Sequence, residues 1–291
     1  MSPTLVPDLS SHRRVTRSAS KIQKIHNSGR TTTLPEQVRR LGNAGRSISK
    51  KMNTVEYVKT ISTHRTPPIH AQHFHIIQEK VAYNLYELLV AATLWNRTKG
   101  IHARPVFLAL VLQYPSPEHL AKASESDLVE LIRPLGLQSI RARRFLSFAQ
   151  EWVRHPPTKH RRYRKLHYPV QGCGRDVGPK EVLTEDDPRE GWEVAHLPGI
   201  GPYALDSFRI FHRDMLRGLA TDWKGTGAPL GFEPEWKRVV PLDKELKAYI
   251  RWMWLKEGWI WNPATGERVT APTETMERER ARSRSLSPIH L

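Results

Sequence analysis

Cysteine is almost missing from this chain of 291 residues: Cys173 is the only one. An internal disulfide framework is thereby excluded, as is any metal or iron–sulfur centre held by four cysteines. Long apolar runs are missing too, so no membrane-spanning helix of roughly 18 or more apolar residues is expected. The first residues lack the apolar core of a secretory signal, and no leader is expected. Acidic side chains are scarce: 29 Asp and Glu stand against 46 Lys and Arg, for a net charge of +17. Such an excess favours a polyanionic partner and says nothing of the fold. Segments of strand period are lacking as well. The periodic stretches are helical, so the expected class is all-α.

What is present falls into three parts. Residues 1–66 carry thirteen Lys or Arg against three acids, with many Ser and Thr. By composition this is a disordered basic arm, readable as a solvated tail, a tether or a nuclear address. Lys50-Lys51 and the run from Lys159 to Lys165 are candidate basic patches. Residues 67–266 carry the helical patterns, and 267–291 read as a disordered, solvated tail of mixed sign. Within the middle part, Asn84–Trp95 is apolar nearly all round, the mark of a buried central helix. A second helix runs from Ile101 to Tyr114 around Pro105, and a short one follows Pro117. Ser124 is the expected N-cap of the next helix, which stops at Pro134. Leu135-Gly136-Leu137 then turns the chain into a helix capped by Ser139. That helix runs to about Arg154, with Ile140, Phe145, Phe148, Ala149 and Trp152 inward. Residues 155–190 and 214–234 are rich in Pro, Gly or charge and read as long loop insertions. Leu246, Tyr249, Ile250, Met253 and Trp254 form one apolar stripe, a core face.

The chain is organised around Leu197-Pro198-Gly199-Ile200-Gly201-Pro202-Tyr203 and the helical pattern after it. Apolar Ala204, Leu205, Phe208, Ile210 and Phe211 alternate there with Asp206, Ser207 and Arg209. Gly191–Ala195, just upstream, is long enough for a helical turn or two. Glycines let a phosphate approach the backbone closely, and the unpaired N–H groups opening a helix sit at the positive end of its dipole. A grip of this kind holds a duplex without reading its sequence. An ordinary helix–turn–helix corner is the competing account.

The stretch resembles the hairpin of the helix-hairpin-helix DNA glycosylase superfamily. Val239-Val240-Pro241-Leu242-Asp243 resembles the run that places that superfamily's aspartate at a helix start. The resemblance narrows over most of 74–262 to the catalytic domain of the methyl-CpG-binding-domain thymine DNA glycosylases. It is carried by Leu94–Gly100, Arg133–Leu137, Gly199–Tyr203, Asp206–Phe211, Glu235–Val239 and Pro241–Asp243. The departures are the two insertions, Pro198, and the lack of a recognisable methyl-CpG-binding domain in 1–66. The fold implied is two helical subdomains flanking a DNA-binding and active-site cleft. Some superfamily members carry a four-cysteine iron–sulfur cluster; one cysteine cannot, so no cofactor is expected.

The implied activity is hydrolysis of the N-glycosidic bond of thymine or uracil mispaired with guanine, opening base excision repair. The mispaired base lies inside the duplex and must first be flipped out. As it leaves, positive charge builds on the sugar, which a fixed carboxylate stabilises while orienting water. Asp243 matches the family's catalytic aspartate; helix capping is the plainer role and is compatible with it. Tyr203 stands where bifunctional relatives have a lysine. Without an amine there is no Schiff base, so the enzyme should be monofunctional, with Tyr203 stacking on the flipped nucleotide. Gln78, nineteen residues before Arg97, resembles the amide that hydrogen-bonds the flipped pyrimidine. Arg97 resembles the wedge that fills the vacated stack. Leu135, Gly136 and Leu137 resemble the turn facing the orphan guanine, although as side chains the two leucines read as core. Gly199, Gly201 and Lys244 complete the DNA-binding set. The alternatives are a non-catalytic DNA-binding protein that kept the hairpin, and an adenine-mismatch glycosylase. The expected partners are mismatched duplex DNA and downstream repair enzymes, for a monomer in the nucleus with no membrane contact.

Overall fold

Asn84 starts the helix on which the others lean: its side chain accepts the Glu87 N–H and so satisfies one orphan donor of the first turn. The structure, a computed structural model, describes residues 66–285, with side chains to 281. The basic arm expected at 1–66 therefore lies outside the described residues, apart from Thr66 itself. All described residues belong to one compact unit. Helices α1 (Ile77–Val81), α2 (Leu85–Trp95) and α3 (Gly100–Gln113) lead the order. They are followed by α4 (Pro117–Ala121), α5 (Glu125–Ile132) and α6 (Gln138–Arg154). A two-residue pair, β1 (Arg162–Tyr163) and β2 (Val182–Leu183), precedes α7 (Pro202–Phe211) and α8 (Arg213–Leu216). A 3₁₀ turn at Glu235–Arg238 leads to α9 (Lys244–Lys256), antiparallel strands β3 (Trp259–Trp261) and β4 (Arg268–Thr270), and α10 (Thr273–Ser285).

The all-α expectation holds, with only these two small sheets added among the described residues. The helices form two packed groups: α3 to α6 on one side, and on the other α1, α2 and α7, with α9 joined to α7 through the Phe211 and Tyr249 rings. They are joined where α2 meets α3. Leu88 to Ala92 and Leu94 of α2 are fully buried, as an apolar circumference requires. Pro105 lies inside α3 without ending it, because it falls in the second turn where little of the backbone ladder is lost.

Several expectations change in detail. Ser124 sits at the N-cap of α5, but its hydroxyl pairs with Ser126 rather than with a backbone N–H. Ser139 lies inside α6; the N-cap is Leu137, in left-handed conformation, and Ile140 is exposed. The stretch from 267, expected to be a loose tail, holds β4 and α10. The Arg268 guanidinium lies 4.3 Å from the Trp254 ring centre, which fastens that strand to α9.

Neither insertion is a bare loop. In 155–190, Arg162 is buried and donates to the carbonyls of Thr184, Asp187 and Arg189, so it staples the segment instead of serving a surface patch. In 214–234, Trp223 enters the core and donates to the Tyr249 hydroxyl at 2.7 Å.

Candidate active site

The hairpin is built from tight turns. Instead of a short helix at Gly191–Ala195, successive bonds run from Ala195 N to Trp192 O, Leu197 N to Val194 O and Ile200 N to Leu197 O. Trp192 is held out of helical form because it pairs with Tyr163 of the insertion. Leu197 and Ile200 are buried and anchor the turn. Gly199 has φ +92°, and a Cβ there would lie 2.8 Å from the Arg144 side chain. Only glycine satisfies both conditions. Gly201 is extended and faces open space, since an added Cβ would meet nothing within 4 Å. It is the N-cap of α7, with Pro202 following and no side chain capping the first N–H groups. Those donors stay open to an anion.

Around the start of α9 the structure brings three expected residues together. Gln78 of α1 is 1% exposed, and its Nε2 donates to Tyr203 Oη at 2.7 Å and to Ser207 Oγ at 3.5 Å. Burial, and then the charge of Asp243, push the Tyr203 phenol above its ordinary pKa, so it stays a neutral hydroxyl. Asp243 is the N-cap of α9, with Oδ1 accepting the N–H groups of Glu245 (2.8 Å) and Leu246 (3.0 Å). Its Oδ2 takes no hydrogen bond among the described residues. Lys244, beside it, is exposed.

A second cluster lies at the other DNA-facing candidates. Arg97 is exposed with φ +60°, and Leu137 is 69% exposed with φ +51°. Non-glycine residues held left-handed cost about 1–3 kcal/mol each and tend to mark functional positions. Arg141 ties the two turns together, its guanidinium donating to Thr98 Oγ1 at 3.0 Å and its backbone N–H to Leu137 O at 3.0 Å. Gly136, also left-handed, sits between a half-buried Leu135 and Leu137. The core reading of Leu137 is thus overturned: it precedes the first turn of α6 and lies off that helix's inward stripe.

One group escaped the sequence. Asp206 was expected only to fall between the apolar positions of α7, and it is 5% exposed. Tyr168 of the insertion, packed edge-on against Trp192 just after it, covers that part of α7. The Tyr168 hydroxyl donates to Asp206 Oδ1 at 2.7 Å. Burial pushes the Asp206 carboxyl up to about 6 against the pull of Tyr168, Arg209 and the Leu242 N–H, and the Asp243 charge adds to the rise. Arg209 pairs with Glu235 at 2.6 Å and lies 4.4 Å from the Trp192 ring centre. Arg213 bridges Glu235 (2.9 Å) and Glu193 (3.1 Å). The available signal was Asp206, Ser207 and Arg209 scattered around a largely apolar helix, with no continuous polar face to hold them.

The comparisons bear on this arrangement. The model of the HhH-GPD superfamily base excision DNA repair proteins matches residues 85–252. The chain is 30% identical over 118 residues to the thymine-DNA glycosylase of Aeropyrum pernix, covering 40% of this chain and 41% of that protein. It is 33% identical over 69 residues to the thymine/uracil-DNA glycosylase of Pyrobaculum aerophilum, covering 24% and 30%. With the methyl-CpG-binding domain protein 4-like protein of Arabidopsis thaliana it shares 24% over 166 residues, covering 57% and 29%. The matches thus span less than half the length of these relatives. A solved thermostable thymine-DNA glycosylase superposes with a TM-score of 0.32 at 16% identity, over 64% of this chain and 62% of that one. The family match takes in α2, the hairpin, Asp243 and most of α9, and the chain belongs to the HhH-GPD superfamily of base excision DNA repair proteins.

Proposed function

We propose that this chain is a monofunctional DNA glycosylase that removes thymine or uracil, and related damaged pyrimidines, mispaired with guanine. The observation that carries the reading is the meeting of Gln78, Tyr203 and Asp243 at the start of α9. Relatives named for thymine and thymine/uracil favour a pyrimidine over adenine.

The chemistry follows from these groups. The hairpin N–H groups grip a phosphate, and Arg97 fills the stack when the nucleotide turns out. Gln78 offers an amide for the carbonyl and N–H edge of the pyrimidine, and Tyr203 an aromatic face. The bond from C1′ to the base nitrogen breaks, and its electron pair leaves with the base. Asp243, held through Oδ1, presents Oδ2 to the cationic sugar and to a water molecule. The water oxygen bonds to C1′, and its proton passes to the carboxylate. Leu135, Gly136 and Leu137 face the orphan guanine, and Lys244 contacts the backbone. Tyr203 offers no amine, so the strand is left intact at an abasic site. No cofactor takes part in these steps. The protein works as a monomer in the nucleus, ahead of the enzymes that process abasic sites.

The test uses purified protein on labelled duplexes carrying G·T, G·U, A·U or A·G, with alkali to reveal abasic sites. Release at G·T or G·U, with strand breakage only after alkali, is the expected outcome. Breakage without alkali, or a borohydride-trapped adduct, would overturn the monofunctional reading. Release at A·G alone would favour an adenine glycosylase.

A further inference from the structure

The basic run of the first insertion is divided by the fold. Arg162 is consumed by backbone carbonyls, Arg164 donates to the Val177 carbonyl, and Arg161 to that of Pro156. Arg189, later in the same insertion, is taken up by Glu181 and Asp187. Lys165 is different. Its Nζ reaches out of the insertion to the Ile200 carbonyl, in the middle of the Gly199-Ile200-Gly201 turn. Partial burial lowers its pKa, and no carboxylate neutralises it among the described residues.

Two further cations lead away from that point along α6. The aliphatic stem of Arg144 lies against Gly199, close enough that a Cβ there would stand 2.8 Å from Cδ. One turn earlier, Arg141 bonds Thr98 beside Arg97. Burial and the neighbouring Arg144 charge both disfavour the Arg141 cation. The other arginines of α6 behave otherwise: Arg143 reaches Glu125 and Arg154 reaches Glu151. Arg141, Arg144 and Lys165 have no acidic partner among the described residues. Arg141 and Arg144 repel each other, Arg144 and Lys165 meet at the hairpin turn, and cations without acidic partners are an arrangement that an external polyanion relieves.

We propose that Arg141, Arg144 and Lys165 form a track binding successive phosphodiesters of one DNA strand, from the Arg97 turn to the hairpin. It rests on the glycosylase reading, because it takes the hairpin and Arg97 as DNA contacts. Lys165 is then the insertion's contribution to the DNA interface, a cation delivered onto a turn that would otherwise offer only N–H groups.

The experiment measures duplex affinity against salt concentration by fluorescence anisotropy, with an oligonucleotide duplex carrying one G·U mismatch. Each neutralised phosphate contributes about 0.9 to the slope of log affinity on log salt. Arg141→Gln, Arg144→Gln and Lys165→Gln should each flatten the slope by about that much, and the triple variant by nearly three times as much. Lys165→Arg should keep the parental slope. Arg143→Gln, on the same helix but paired with Glu125, is the control and should also keep it. Thermal midpoints of all variants are read in parallel. If Lys165→Gln weakens the fold, the exposed Arg144 carries the test by itself. Parental slopes in the Gln variants, with or without lost stability, would leave Lys165 a turn-stabilising residue and overturn the track. Failure to release any pyrimidine while the slopes still flatten would sink the enzymatic reading and leave the track standing.

Discussion

Asp243 holds two roles in one side chain, and they separate by atom. Oδ1 caps α9, while Oδ2 is left for chemistry. Asn caps a helix about as well as Asp, so Asp243→Asn should keep the fold and the duplex affinity. Single-turnover base release should fall roughly 10²–10³-fold or more, the usual scale for losing one group that stabilises transition-state charge. A rate within tenfold of the parent would remove Asp243 from the mechanism. Asp206, beneath it, makes a prediction about stability. Its folded pKa, about 6, lies above its ordinary value, so the folded state holds a proton that the unfolded chain gives up earlier. That contribution is complete below pH about 4 and is lost as pH rises through about 6. Relative to Asp206→Asn, the parent should therefore lose up to about 3 kcal/mol across that window. Glu235 has the opposite sign, since Arg209 and Arg213 overcome burial and hold it down at about 2, but it is common to both proteins and cancels. Denaturant midpoints at pH 4, 5, 6 and 7 read the difference, and parallel curves would contradict it.

At the scale of elements, the helices were legible because apolar periodicity reports burial directly: α2 and the stripe of α9 lie where their patterns put them. The hairpin was legible because a turn with two glycines and a proline has few alternatives. The insertions were not. A segment rich in Pro, Gly and charge has no period, so nothing in it foretold that Tyr168 would cover one face of α7 beside Trp192, or that Lys165 would reach Ile200. Asp206 was missed for the same reason, since its burial is decided by a segment that pattern reading cannot place. Backbone strain at Arg97 and Leu137 is likewise invisible until dihedral angles are known. If 214–234 is part of the fold, Trp223→Ala should cost about 3–5 kcal/mol, through a core cavity and the loss of the Tyr249 bond. Trp223→Phe should cost less, because it keeps most of the volume. A cost under 1 kcal/mol for Trp223→Ala would return the segment to the surface.

For the molecule as a whole, charge is unevenly shared. Residues 1–66 hold thirteen basic against three acidic side chains, ten of the net +17. The core, the hairpin, Gln78, Tyr203 and Asp243 all lie in the described residues, and Gln78 and Asp243 are held there by bonds to Tyr203, Ser207 and the first turn of α9. Affinity and chemistry should therefore come apart when the arm is removed. Counterion release makes the salt slope a count of neutralised phosphates, so deleting residues 1–65 should flatten it and weaken binding most at low salt. Once enzyme is saturating, every substrate molecule is bound, and base release depends only on groups that the truncated chain keeps. The single-turnover rate on a G·U duplex should then stay within about twofold of the full chain, a difference of less than about 0.5 kcal/mol in the barrier. Thermal unfolding should shift little for the same reason. If truncation abolishes release at saturation while the shortened protein remains folded, the arm supplies part of the active site. If instead the salt slope is unchanged, the arm's charge is not spent on phosphates, and the Arg141–Lys165 track with the hairpin accounts for the electrostatic grip.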